Sequence, residues 1–175
     1  MRTQLAQGYP HQEALFMTIA GRLDQFDRRI LACLQEQGDI GPSELSGKVH
    51  LSASQCSRRL QRLKDEGYIE NIVAVLDKSK LRLGVSSYVV VKIKDHSPAA
   101  ERRVNALMSS LDEVVSCEYL AGEADYMIKV VTRDLESYAS FISDKLMSSG
   151  DIESVRSSIV LKWMKRTTAL PLDFC

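Results

Sequence analysis

Leu51-Ser52-Ala53-Ser54-Gln55-Cys56-Ser57-Arg58-Arg59-Leu60-Gln61-Arg62-Leu63 contains the best-marked helix start in the chain. Ser52 with Gln55 three residues later makes a capping box, in which each side chain accepts from the other's backbone N–H. At 100° per residue, Ala53, Cys56, Leu60 and Leu63 fall on one side, which is expected to be buried. The opposite side carries Ser54, Gln55, Arg58 and Arg62, with Arg59 on a flank. From Leu45 through Leu63 no residue is acidic, whereas Lys48, Arg58, Arg59 and Arg62 are basic. Such local segregation of charge suits a phosphate backbone. A helix fits the major groove, where Gln and Arg make paired hydrogen bonds to adenine and guanine edges. A short side chain such as Ser54 lets the helix start approach closely.

Upstream, Leu23, Phe26, Ile30, Leu31 and Leu34 recur at three- and four-residue spacing, with Asp24 as N-cap and Gly38 as the stop. A second, shorter helix starts at Gly41-Pro42, since proline suits the first turn. Its Leu45 and Val49 face inward. Downstream, Gly67 ends the third helix. Tyr68–Leu76 then reads as a two-stranded wing, rich in β-branched and aromatic residues and broken at Asn71. A short helix, a tight turn, a basic helix and a wing together match the helix-turn-helix layout.

Residues 77–85 (DKSKLRLGV) read as a hinge, after which the period changes. Strands are expected over Ser86–Lys94, Val114–Leu120, Tyr126–Val131 and Val155–Met164. Helices are expected from Pro98 and around Leu135–Leu146. The order strand-helix-strand-strand-helix-strand is the split βαβ, or ferredoxin-like, arrangement. The fold class is therefore α+β, with a DNA-binding unit over 23–76 and a ferredoxin-like βαββαβ domain over 86–172. Helices cover only one face of such a sheet, so self-association is expected on the other.

Composition narrows the function classes. The chain has 175 residues, 45 % hydrophobic and 26 % charged, with formal net charge zero. A neutral chain binds nucleic acid only through local charge segregation. Cys33, Cys56, Cys117 and Cys175 lie far apart without a Cys-x-x-Cys pair, which argues against zinc fingers and redox motifs and for reduced thiols. The apolar run Ala14–Ala20 has the wrong flanks for a signal peptide and is too short to span a bilayer, so residues 1–22 read as an accessory arm.

One further stretch could carry chemistry. Gly122-Glu123-Ala124-Asp125-Tyr126 sits between two strands. Its carboxylates could meet the amino group of a small ligand, or it could be a plain hairpin turn, where Gly and Asp are expected anyway. Enzymatic chemistry finds little support. His11, His50 and His96 lie in separate regions, with no phosphate loop, no nucleophile elbow and no metal-ligand spacing. No cofactor is called for.

The chain resembles the Lrp/AsnC (feast/famine) transcription regulators. The likeness is carried by Leu23-Asp24-x-x-Asp27-x-x-Ile30-Leu31, Glu44-Leu45-Ser46, Leu51-Ser52-x-Ser54-x-Cys56-x-Arg58-Arg59-Leu60-x-Arg62-Leu63 and Glu66-Gly67-Tyr68-Ile69. Further on it runs through Ala74–Asp77, Leu120-x-Gly122-x-x-Asp125-Tyr126 and Thr167–Leu172. It departs from the family at Pro42, at Gln55 (where a proline is frequent) and in its long N-terminal arm. The resemblance implies a cytoplasmic, nucleoid-associated regulator that binds double-stranded DNA. It implies a C-terminal domain that senses an amino acid or related metabolite, and homo-oligomers that are dimers or octamers. By that likeness Gly122, Glu123 and Asp125 become effector-site residues, with Ser157 and Ser158 on the last strand as further candidates.

The expected DNA-binding set is Lys48, Ser52, Ser54, Gln55, Arg58, Arg59 and Arg62. Gln55 or Arg58 would read bases, and Lys48, Arg59 and Arg62 would anchor phosphates. A reading of a different class is a metabolite-binding regulatory subunit of an enzyme, whose helical unit docks protein instead of DNA.

Overall fold

Asp24 and Ser52 start two helices by the same device. The Asp24 carboxylate accepts from the Asp27 amide at 2.8 Å, and the Asp27 carboxylate accepts from the Asp24 amide at 3.1 Å. Ser52 and Gln55 repeat the exchange. In the computed structural model, which describes residues 23–174, these caps open α1 (Gln25–Glu36) and α3 (Ala53–Asp65). The arm expected over residues 1–22 lies outside the described residues. Between the two helices, α2 (Pro42–Val49) has proline in its first turn and ends on His50 in the left-handed conformation at φ 59°. That residue turns the chain sharply into α3.

The three helices bury Ile30, Leu31, Leu45, Val49, Cys56 and Leu63 in one apolar cluster. Two expectations for α3 are corrected. Ala53 is exposed, because it sits in the first turn beyond the cover of α1 and α2, and Leu60 is only half-buried.

The two-stranded wing does not form: residues 68–76 are in no ladder. Tyr68 and Ile69 are already spent on the helical core, their amides donating to the Leu63 carbonyl at 2.9 and 3.3 Å. The break at Asn71 is followed by Ile72, and a β-branched residue resists the positive φ that a two-residue hairpin turn needs. Ile72, Val73, Val75 and Leu76 are left exposed.

The chain divides into two units, with Leu76–Met164 in one and the helices in the other. Residues 165–172, expected with the sheet, group with the helices. The reason is local. The Gln35 carboxamide accepts from the Leu170 amide at 2.5 Å and donates to the Leu170 carbonyl at 3.1 Å, and Leu172 packs on the helical core.

In the second unit, β1 (Val85–Ile93), α4 (Pro98–Ser110), β2 (Val114–Tyr119), β3 (Tyr126–Thr132), α5 (Leu135–Ser140) and β4 (Ile152–Ile159) follow in the expected order. All pairings are antiparallel in the sheet order β2-β3-β1-β4. The last strand starts and ends earlier than the expected Val155–Met164, because its pairing with β1 runs from Ile93↔Ile152 to Ser87↔Ile159. Helix α5 widens into a π-helical turn at Phe141–Leu146, which points Phe141 and Leu146 into the core.

Strand alternation sets the two faces. Val89, Val91 and Ile93 with Tyr126, Ile128 and Val130 face the helices and are buried. Tyr88, Val90, Met127 and Lys129 lie on the helix-free face. There Trp163 meets Tyr88 edge-on at 6.5 Å, and the Lys129 ammonium lies 5.0 Å from the centre of the Trp163 ring.

Candidate nucleic-acid interface

Capping uses part of the expected reading set. The Ser52 hydroxyl accepts from the Gln55 amide at 3.3 Å, and Gln55 Oε1 accepts from the Ser52 amide at 3.0 Å. Gln55 thus has a structural duty at the N-terminus of α3, leaving its NH2 group as the free donor. Ser54 is exposed, with its hydroxyl 3.1 Å from that of Ser52.

The arginines divide sharply. Arg59 Nη1 donates to Asp24 Oδ2 at 2.7 Å and to Asp27 Oδ1 at 2.8 Å, and its guanidinium stacks 5.5 Å from the centre of the Phe26 ring. Arg62 Nη2 pairs with Asp27 Oδ2 at 2.6 Å. Hydrogen bonds to Asp24 and Asp27 push the Arg59 guanidinium above its ordinary range, and the close Asp27 carboxylate does the same for Arg62. Lys48 pairs with Glu44 at 3.4 Å, one turn back on α2, and also reaches Gln37. Arg58 is exposed and has no ion pair among the described residues. It sits with Ser54, Ser57, Gln61 and Arg62 around one open concavity on α3, which Asp65 and Glu66 close at the C-terminal end of the helix. The acid-free run in the sequence is therefore answered in space by Asp24, Asp27 and Glu44.

Two residues of this outer face, Ser57 and Gln61, escape the sequence reading. They stand three and seven positions after Ser54, so the helical period does place them beside Arg58. The carboxylates on α1 leave no such trace, being 32 and 35 residues from Arg59.

The expected effector residues occupy different places. Gly122 and Glu123 are exposed in the β2–β3 connection. Asp125 is held more firmly: its carboxylate accepts from the Ile93 amide at 2.8 Å and meets His96 Nε2 at 2.8 Å. Burial alone would raise the Asp125 pKa, but the Ile93 N–H and His96 outweigh it and hold the carboxyl below its usual range. His96 is raised in return by its bond to Asp125.

Ser157 pairs with Val89 and Ser158 with Tyr88, so the two serines point to opposite faces of the sheet. On the helix side, the Tyr138 hydroxyl donates to Ser157 Oγ at 2.6 Å and lies 3.1 Å from the buried Ser87 Oγ. Strand rise and spacing put Ser157 about 14 Å from Asp125, so one protomer does not bring the two groups to a single point.

Comparison with known proteins follows the same division. Residues 23–70 match the model for winged helix-turn-helix DNA-binding domains, and residues 86–170 match the Lrp/AsnC ligand binding domain. Transcriptional regulator AzlB of Bacillus subtilis strain 168 is 35 % identical over 154 residues, covering 86 % of this chain and 96 % of that protein. The chain belongs to the Lrp/AsnC family. Another Lrp/AsnC relative, the DNA-binding transcriptional activator DecR of Escherichia coli strain K12, is 33 % identical over 86 % of this chain and 99 % of its own. A transcriptional regulator of Neisseria meningitidis, solved as an L-Met complex, superposes with a TM-score of 0.84. It has 37 % identity and covers 87 % of this chain and 98 % of its own. The chain is thus a transcription regulator of the Lrp/AsnC type, with a helix-turn-helix unit and a ligand-binding domain.

Proposed function

We propose that this Lrp/AsnC regulator reads double-stranded DNA through the outer face of α3, with Arg58 as the principal base reader. The carrying observation is that Arg58 stands exposed and uncommitted on a firmly capped helix, flanked by Ser54, Ser57 and Gln61. An arginine in that position can donate two hydrogen bonds to the O6 and N7 of guanine. Ser52 and Gln55 support the helix start against the groove, and Lys48 lies at the end of α2 within the same unit.

The sheet domain senses an amino acid or a related small metabolite. The L-Met complex of the Neisseria relative supports that class of ligand. Gly122 and Glu123 are its accessible residues. Asp125 supports the connection through Ile93, and Ser157 and Ser158 contribute from opposite faces. Two or more copies assemble through the helix-free face, whose Tyr88, Val90 and Met127 need cover. The protein acts in the cytoplasm at the nucleoid, without a catalytic role of its own. Among the described residues no helix is long and apolar enough to cross a membrane.

A retardation assay tests the DNA reading, using the duplex upstream of the protein's own coding sequence at two salt concentrations. Retention at low salt that weakens as salt rises is expected. No retention at low salt would favour a regulatory subunit whose helical unit docks protein. A thermal-shift series over the amino acids tests the sensing role, because a ligand bound only by the folded state raises the melting temperature. No response from any of them would remove that role.

A further inference from the structure

Asp27 has a fully buried carboxylate on α1, the helix that does not face the proposed groove. Its two oxygens receive three partners: the Asp24 amide at 3.1 Å, Arg59 Nη1 at 2.8 Å and Arg62 Nη2 at 2.6 Å. Two of the three cationic side chains in the α3 segment Arg58–Arg62 are thereby turned back toward α1. Asp24 takes a second bond from Arg59, and Phe26 supplies an aromatic face beneath the same guanidinium. Four α1-side contacts thus converge on two arginines, while Arg58 between them and the helix start has none among the described residues.

The energetics of DNA binding give that arrangement a meaning. Phosphate contacts strengthen binding to every sequence alike, whereas base contacts separate one sequence from another. An arginine that swings from this buried carboxylate to a phosphate takes away one of its three partners, which costs free energy in a site shielded from water. Holding Arg59 and Arg62 in place therefore suppresses sequence-independent binding and leaves Arg58 to discriminate.

We propose that Asp27 is a positioning residue for DNA recognition. It holds Arg59 and Arg62 off the phosphate backbone, so that base reading by Arg58 governs affinity. This rests on the DNA-binding reading above and assigns the two arginines a role opposite to phosphate anchoring.

The test compares the full chain with its Asp27→Asn variant on two duplexes of equal length, the protein's own upstream region and a random sequence. Each released phosphate contact adds about 0.9 to the salt slope, roughly a 3.5-fold extra loss of affinity between about 50 and 200 mM salt. Asp27→Asn is expected to steepen the slope by about 1 to 2 on both duplexes alike and to tighten binding to the random duplex at about 50 mM salt. A folded variant whose salt slope is unchanged on both duplexes overturns the proposal, since a purely structural carboxylate would not alter it. If Asp27→Asn does not fold, Arg59→Gln and Arg62→Gln decide the matter. Wild-type salt slopes in both support the held position, and a slope reduced by about one unit in either overturns it. A wild-type chain that binds both duplexes equally, or neither, would instead remove the DNA-reading role itself, so the two failures are distinguishable.

Discussion

Replacing Gln55 in two ways separates its duty at the helix start from any duty on DNA. In Gln55→Ala the Ser52 amide loses its 3.0 Å acceptor, while the reciprocal bond from the Gln55 amide to the Ser52 hydroxyl survives. Losing half of an exposed capping box falls in the lower part of the N-cap range, about 0.5–1 kcal/mol. For a unit of this size that corresponds to a melting temperature lower by about 2–8 °C. Gln55→Glu keeps an oxygen acceptor at the same reach and adds a negative charge in the first turn, where the helix dipole stabilises it by about 0.3–1 kcal/mol. Its melting temperature should match or slightly exceed that of the wild type. On DNA the order is expected to differ, because a carboxylate turned toward a groove repels phosphate whereas alanine does not. Gln55→Glu should therefore be the more stable protein and the weaker binder. Calorimetric melting of both variants, with retardation of the same duplex, measures the two orders. Equal melting temperatures for the two variants would refute the capping argument.

Arg58→Ala should cost about 1–3 kcal/mol of discrimination at one base pair while leaving the melting temperature unchanged, read as competition between operator variants and a random duplex. Tyr138→Phe removes the hydroxyl that links Ser87 to Ser157. Because Ser87 Oγ retains the Ser158 carbonyl at 3.1 Å, the expected loss is about 1 kcal/mol in urea unfolding, and a loss above about 3 kcal/mol would show a larger role for the hydroxyl. His96 should titrate above its ordinary 6.5, because it gains Asp125 on folding. Its contribution to stability is then complete below 6.5 and fades as pH rises through the raised value. Asp125, held below its ordinary 3.8, contributes above 3.8 and loses its contribution as pH falls through the lowered value. A proton NMR titration that puts His96 at or below 6.5 would sink this pairing, and His96→Gln should flatten the alkaline limb of the stability profile.

Much of the fold was legible because its signals are short-range. Capping boxes at Asp24 and Ser52, proline at position 42 and the alternation in β1 and β3 each lie within a few residues of the element they specify. Aromatic and β-branched residues over 68–76 mark a strand without saying whether a partner strand exists, and Tyr68 and Ile69 have another use in the helical core. The grouping of Leu170 with Gln35 is a contact across 135 positions, made partly to backbone atoms that any residue would supply. At the site, composition found α3 and its basic character. It could not find that Arg59 and Arg62 are already answered, because the answering carboxylates belong to another helix. The helical period contained Ser57 and Gln61, but the weight given to charged residues passed over them.

Gln35 grips the backbone of Leu170 by both its amide and its carbonyl, and Leu172 packs onto the helical core. The helical unit is therefore assembled from two stretches that leave the ribosome far apart in time. At about 5–20 residues per second, the 135 positions between Gln35 and Leu170 separate their synthesis by roughly 7–27 s. Throughout that interval α1, α2 and α3 exist without their final strand of chain. A unit begun before the sheet is completed only after every strand of the sheet has been synthesised.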